Sequence, residues 1–210
     1  MKLSDMRISY QKGVLEIADL EPDPLEQFKR WFAEVSAVSS ANEVNAMTLA
    51  TADLKGRVSA RTVLLKGVEE GGFVFFSNYE SAKAREMAEN AQVALLFYWG
   101  LERQIRIEGI VSQLSREASE AYFHSRPYQS QLGSAASSQS QVLASREILE
   151  KRMAELSAKH PKQVPLPDFW GGYLVKPNYF EFWQGRENRL HDRFSYRPQV
   201  EGWLIERLYP

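Results

Sequence analysis

Apolar and polar positions follow two rhythms along this chain, and the rhythm changes at turn-forming residues. Leu25, Phe28, Trp31, Phe32 and Val35 recur at helical spacing, which predicts an amphipathic helix running to about Val38. Asp23 stands where an N-cap belongs, Pro24 suits the first helical position, and Glu26 follows Asp23 at capping-box spacing. Residues 1–22 are polar, lack periodicity and read as an arm, whereas 23–210 reads as a single domain. The period then falls to two. Strands are predicted at 46–52, 57–68 and 73–77, separated by the turns Asp53-Leu54-Lys55-Gly56 and Glu69-Glu70-Gly71-Gly72, as in an antiparallel meander. A short helix opens at Ser81 and reaches Asn90; strands at 92–99 and 102–114 flank Gly100.

Ser115 caps a helix to about Ser125. The stretch 126–140, RPYQSQLGSAASSQS, has the composition of a flexible linker. A further helix spans Ser145 to about Lys159 and is stopped by Pro161, Pro165 and Pro167; strands follow at 172–175, 179–184, 190–196 and 203–208. Many short strands with few helices predict a mainly β fold, a barrel with flanking helices.

Composition narrows the function classes. The 210 residues suffice for a core without disulfide or metal staples. Lys and Arg total 26 against 27 Asp and Glu, so the chain lacks the basic excess of a nucleic-acid binder. It has no cysteine, which excludes disulfides, thiolate catalysis and Cys-ligated metals. His124, His160 and His191 do not form a metal-binding spacing, so no metal is expected. The N-terminus has no apolar core of a signal peptide, and the longest apolar run, Val93–Trp99, falls far short of the roughly 20 residues of a spanning helix. A cytoplasmic protein with no membrane or nucleic-acid partner is expected.

Candidate chemistry gathers in four segments, each with a plainer alternative. In Arg61-Thr62-Val63-Leu64-Leu65-Lys66 two cations bracket an apolar strand, so strict alternation turns one of them inward; the alternative is surface charge on snorkelling stems. Phe76, Ser77, Ser81 and Lys83 surround a strand-to-helix turn whose free N–H groups favour an anion, or Ser81 is simply an N-cap. Tyr122, Arg126 and Ser130 offer hydroxyls and a guanidinium fork to a phosphate, or Arg126 merely caps a helix C-terminus. Read as a strand, Arg189, His191 and Arg193 share one face; that face wants an anion, or it is a charged edge strand. The aromatic run Gly72-Phe73-Val74-Phe75-Phe76 faintly suggests an RNA-binding strand, but the charge balance favours a core strand.

Taken in order, RTVLLK (61–66), FFSNYESAKA (75–84), LLFYWGLERQIRIEG (95–109), YFHSRPYQSQLG (122–133), VPLPDFWGGY (164–173) and FEFWQGRENRLHDRF (180–194) resemble the pyridoxamine/pyridoxine 5′-phosphate oxidase family. The likeness runs from about Arg7 to the C-terminus. It implies an FMN-binding split β-barrel, a homodimer with FMN in the interface, and oxidation of pyridoxamine or pyridoxine 5′-phosphate to pyridoxal 5′-phosphate, with O2 as acceptor giving H2O2, and NH3 from the amine. Carried over by position, Arg61 to Lys66, Phe76, Ser77 and Lys83 hold FMN. Gln104, Gln139 and Ser140 bond the flavin from the partner side, and Trp183 and Arg193 line it. Lys66, Tyr122, Arg126 and Ser130 take the substrate phosphate, Arg189 and His191 flank the substrate ring as the catalytic pair, and Arg7 and Tyr10 close over it. The stretch 126–140 becomes an ordered ligand loop rather than a linker.

One departure stands out. The family commonly carries Ser-Arg-Lys where this chain has Ser81-Ala82-Lys83, so one phosphate cation is missing. A charge-assisted bond contributes roughly 1.5–3 kcal/mol, which implies weaker FMN retention unless another donor substitutes. Competing readings are a different split-barrel flavin reductase and a non-catalytic pyridoxal phosphate binder. The phosphate clamp discriminates against the first, and oxygen uptake separates the second.

Overall fold

The computed structural model describes residues 2, 9–38, 43–100 and 102–210. Helix α1 (Pro24–Val38) forms as its apolar stripe predicts and buries Phe28, Trp31 and Val35. Its start differs in detail from a capping box. Asp23 accepts from the Leu25 amide at 2.8 Å, while Glu26 pairs with Lys29 at 2.7 Å instead of reaching back.

Strands β1 (Ala46–Ala52), β2 (Val58–Leu64), β3 (Gly67–Glu69), β4 (Gly72–Asn78), β5 (Gln92–Trp99), β6 (Arg103–Gln113), β7 (Trp170–Gln184), β8 (Asp192–Pro198) and β9 (Trp203–Leu208) form one antiparallel sheet. Its main path is β2-β1-β5-β6-β7-β4-β3, with β8 and β9 branching from β7. The outermost strands of that path, β2 and β3, are consecutive in the chain and joined only by Leu65 and Lys66. The sheet therefore curls until its two ends meet. The expected strand 57–68 is broken at this corner: Leu65 donates to the Asn45 carbonyl on one side, and Lys66 donates to Val74 on the other, both at 2.8 Å.

β7 replaces two predicted strands with one. Along one edge it pairs with β6; along the other, its first half pairs with β4 and its second with β8. Pro177, which has no N–H to donate, falls between the two partners on the second edge. Opposite it, the register slips between Glu108 and Gly109. A Cβ on Gly109 would press into the Lys176 carbonyl oxygen and lie 3.0 Å from the Pro177 Cα. Gly109→Ala should therefore cost about 1–3 kcal/mol through backbone displacement, read as a lowered thermal midpoint.

α1 closes one end of the barrel. Phe28 meets Phe73 and Phe97 edge-on at 4.9 and 5.1 Å, and Trp31 meets Phe182 at 5.3 Å. A second apolar cluster, Phe123, Leu132, Val164, Leu166 and Trp170, lies outside the barrel. It forms beneath α3 (Arg116–Ser125), α4 (Tyr128–Ala136) and α5 (Arg146–Lys159). Residues of the presumed linker thus make a helix. Leu132 and Ala136, four apart, are its only buried apolar residues, and Tyr128 adds an anchor by donating to the His160 carbonyl at 2.9 Å. α2 (Ala82–Glu89) follows β4 directly. Among the described residues no helix is long and apolar enough to cross a membrane.

Candidate functional site

The barrel corner, the end of β4, the start of α2 and the outer helices enclose a cavity of about 780 Å³. Arg61, Thr62, Val63, Leu64 and Lys66 reach it from β2 and the corner, Phe76 and Ser77 from β4, and Lys83 from α2. Tyr122, Arg126, Ser130 and Gln139 complete the expected set on its wall. Leu65 does not join them. Its side chain is buried in the core, and its backbone N–H and C=O are both taken by Asn45, because the barrel has to turn there.

Among the described residues, Lys83 and Arg126 in this cavity lack a carboxylate, as does the exposed Lys66. Lys83 is buried, and its ammonium has only Ser81 Oγ at 3.2 Å and Gln139 Oε1 at 3.4 Å. Burial, then the charge of Arg61, lowers its pKa; Glu86 acts in the opposite sense. Arg126 lies over the Trp170 ring at 4.7 Å, and Nη2 donates to Ser130 O and Ser134 Oγ at 2.9 and 2.8 Å. Its buried Nη1 has no partner, and burial pushes its pKa down. Phe76, Tyr122 and Trp170 stack nearly parallel beside it, Phe76 and Tyr122 at 3.7 Å. An orphaned guanidinium nitrogen, a buried ammonium with neutral partners and a flat aromatic wall together fit a phosphorylated aromatic ligand. Trp170 and Ser134 were not among the expected residues; the DFWGGY motif contained the first, and nothing local marked the second.

A second cluster lies elsewhere on the chain. Trp183 at the end of β7 packs on His191 at 4.6 Å, and Tyr10 meets both rings edge-on at 5.8 Å. Gln104 is Trp183's cross-strand neighbour, and Arg193 pairs with Trp183 from β8. The expected shared face of Arg189, His191 and Arg193 is not a strand. Glu187–Arg189 is a 3-10 turn, Asn188 and Arg189 have φ of +55° and +62°, and β8 starts only at Asp192. The turn relieves the cation crowding that a continuous strand would impose. Arg193 is held by Glu181 Oε1, its Nε at 2.8 Å and Nη2 at 2.7 Å, while Nη1 donates to the Tyr209 carbonyl.

His191 Nδ1 accepts from the Arg186 backbone N–H at 3.1 Å, so the ring proton sits on Nε2. Burial, then the charges of Arg189 and Arg193, lowers its pKa and keeps the ring neutral. The arm is strapped down beside it: the Lys12 amide donates to Glu102 at 2.9 Å and the Leu15 amide to Asp192 at 3.1 Å. The expected lid residue Arg7 lies outside the described residues.

The structure divides the trio Gln104, Gln139 and Ser140, expected on one side. Gln139 lies in the first cavity, and Ser140 Oγ accepts from the Ala82 amide at 3.1 Å, because α4 carries 137–140 back onto the start of α2. Gln104 belongs with Trp183. Trp170 and Trp183 mark the two clusters on one strand, roughly 43 Å apart along its backbone at about 3.3 Å per residue. Among the described residues no group of His, Asp and Glu is arranged to hold a metal.

A curled barrel with a cation-lined cavity at its seam is the architecture of the FMN-binding split-barrel flavoproteins. Residues 26–160 match the family model described as pyridoxamine 5′-phosphate oxidase, and 170–210 match the pyridoxine 5′-phosphate oxidase C-terminal dimerisation region. The chain belongs to the pyridoxamine 5′-phosphate oxidase family. It is 53% identical to the pyridoxine/pyridoxamine 5′-phosphate oxidase of Paraburkholderia phymatum, with 99% of each chain covered. It is 50% identical to that of Bordetella pertussis, with both chains covered fully. Among solved structures it resembles PhzG from Burkholderia lata in complex with tetrahydrophenazine-1-carboxylic acid, with TM-score 0.87 and 32% identity over 94% of this chain and 98% of that one. It also shares the fold of a pyridoxamine 5′-phosphate oxidase-related, FMN-binding protein from Nostoc punctiforme, with TM-score 0.72 and 16% identity over 91% of this chain and all of that one.

Proposed function

We propose that the protein oxidises pyridoxamine 5′-phosphate or pyridoxine 5′-phosphate to pyridoxal 5′-phosphate at a site built from two copies of the chain. The carrying observation is Arg126, half-buried on Trp170 with its buried Nη1 unpartnered, inside a cavity that also holds Lys83. Such a donor costs stability unless an anion satisfies it. Full-length identity near one half to enzymes named for this reaction supports the same reading.

Lys83, Ser77, Arg61 and the β2 backbone would hold the FMN phosphate, and Tyr122, Arg126, Ser130 and Lys66 the substrate phosphate. FMN, when bound, would supply the redox chemistry, a two-electron oxidation of the substrate carbon with O2 as the final acceptor, reduced to H2O2. Binding energy at the two phosphates fixes the reacting carbon in place. Arg189 and His191 come from the second chain and flank the substrate ring, Trp183 and Arg193 of that chain line the flavin, and Tyr10 is part of the lid. Neutral His191 donates from Nε2 to an acceptor on that ring; it orients the substrate rather than removing a proton. The imine formed from the amine substrate adds water and releases NH3, whereas the alcohol gives the aldehyde directly.

With FMN supplied, the purified protein should consume O2 and form pyridoxal phosphate and H2O2 when given pyridoxamine phosphate. A second reading follows from the likeness to PhzG: oxidation of a ring-fused aromatic carboxylate. Oxygen uptake with such a carboxylate and none with either B6 phosphate would establish that alternative.

A further inference from the structure

Arg61 lines the cavity, yet its guanidinium is turned toward the barrel wall. Nη1 donates to the Leu49 carbonyl at 3.2 Å and to Thr51 Oγ1 at 2.5 Å. Nη2 donates to Ser59 Oγ and to Glu86 Oε2, the latter at 3.1 Å. Both terminal nitrogens are thus fully committed to protein acceptors. Glu86 is the hub of this arrangement. It stands one turn beyond Lys83 on α2, and its Oε2 also accepts from Thr51 Oγ1 and, at 2.7 Å, from Ser59 Oγ. Burial alone would raise its pKa, but the bonds from Thr51, Ser59 and Arg61 outweigh that and keep it ionised.

The charge count matters because the ligand is a phosphate monoester of charge near −2. Arg61 and Lys83 bring two positive charges, Glu86 removes one, and Ala82 contributes none. A carboxylate bonded to the very arginine expected to grip the phosphate competes with it. We propose that Glu86 is a restraining counter-ion. It holds Arg61 against β1 and β2 when no anion is bound, and it must yield Arg61 when the FMN phosphate arrives. Glu86 therefore stabilises the unloaded barrel and loosens the cofactor. It is a positioning residue acting through Arg61, and the inference rests on the FMN reading of the cavity.

The test is titration of the apoprotein with FMN, followed by flavin fluorescence, with riboflavin as the ligand that lacks the phosphate. Glu86→Gln keeps the shape and an acceptor oxygen but removes the charge. Losing this partly buried ion pair should tighten FMN by roughly three- to tenfold. Riboflavin affinity should not change, and the thermal midpoint of the apoprotein should fall. A purely structural role would weaken both flavins or neither, and FMN binding that is unchanged or weaker in Glu86→Gln overturns the proposal. Should that variant fold poorly, Ser59→Ala loosens the same link without touching the charge and should tighten FMN in the same direction by a smaller factor; no tightening there counts equally against the proposal. Glu86→Asp keeps the carboxylate and should stay near wild type. Arg61→Leu separates the inference from its foundation. It should weaken FMN and spare riboflavin; if FMN binding survives intact, the assignment of Arg61 to the phosphate falls and the role of Glu86 with it.

Discussion

Arg126→Leu should raise the KM for pyridoxamine phosphate by roughly 10- to 100-fold, since a single charge-assisted bond contributes about 1.5–3 kcal/mol and tenfold corresponds to about 1.4. FMN affinity should be untouched. The apoprotein should not lose stability, and this sign is the informative part. Arg126 is half-buried, its buried Nη1 is unpartnered, and burial disfavours its charge, so without an anion it costs more than an apolar residue in the same place. Leucine would still cover the face of Trp170. Arg126→Lys should rescue little, because an ammonium neither stacks on the indole nor forks onto a phosphate. Steady-state kinetics beside a thermal melt decide the matter. A KM within twofold of wild type, or a clear loss of apoprotein stability, would assign Arg126 to the packing of α3 and α4.

Mixing two inactive variants should restore activity. Arg126 belongs to the cavity around Lys83, and Arg189 to the Tyr10–Trp183–His191 cluster at the far end of β7. If one site draws on both, the two arginines come from different chains. Arg126→Leu and Arg189→Leu homodimers would then be defective at every site. Unfolded together and refolded at equal ratio, half the dimers would be mixed, each with one doubly defective site and one intact site, so about a quarter of wild-type activity should return. Recovery that never exceeds the sum of the separate variants would place both arginines in sites formed within one chain. The match of 170–210 to a dimerisation region supports the two-chain arrangement.

The strength and spacing of apolar positions decided how much of this was legible in the sequence. α1 and β5 could be read directly because their stripes face a single core. The pattern divides β7 into 172–175 and 179–184; in the fold the gap around Pro177 is merely where one neighbour gives way to another. The strand through Arg61 and Lys66 was drawn unbroken because barrel closure is a non-local event that the local pattern of 57–68 does not record. α4 was hidden by its composition, since a helix resting on Leu132 and Ala136 has almost no stripe to detect. At the site, long motifs marked most of the expected residues that the fold brings to the cavity wall. Period two misled at Arg189, where left-handed backbone replaces the strand. The partners behind the site, Glu86, Glu181 and Asp192, were invisible, because a carboxylate that holds an arginine from a distant element leaves no local trace.

The two-residue corner that closes the barrel has a further consequence. Leu64 leads into it and Lys66 is its second residue, and both belong to the cavity wall. Until the ends of the sheet meet, Lys66 and Val74 are apart and the wall does not exist. A partly open chain thus offers the cofactor nothing to hold at this point. A flavin held across this seam would act as a clasp, favouring the closed barrel by mass action.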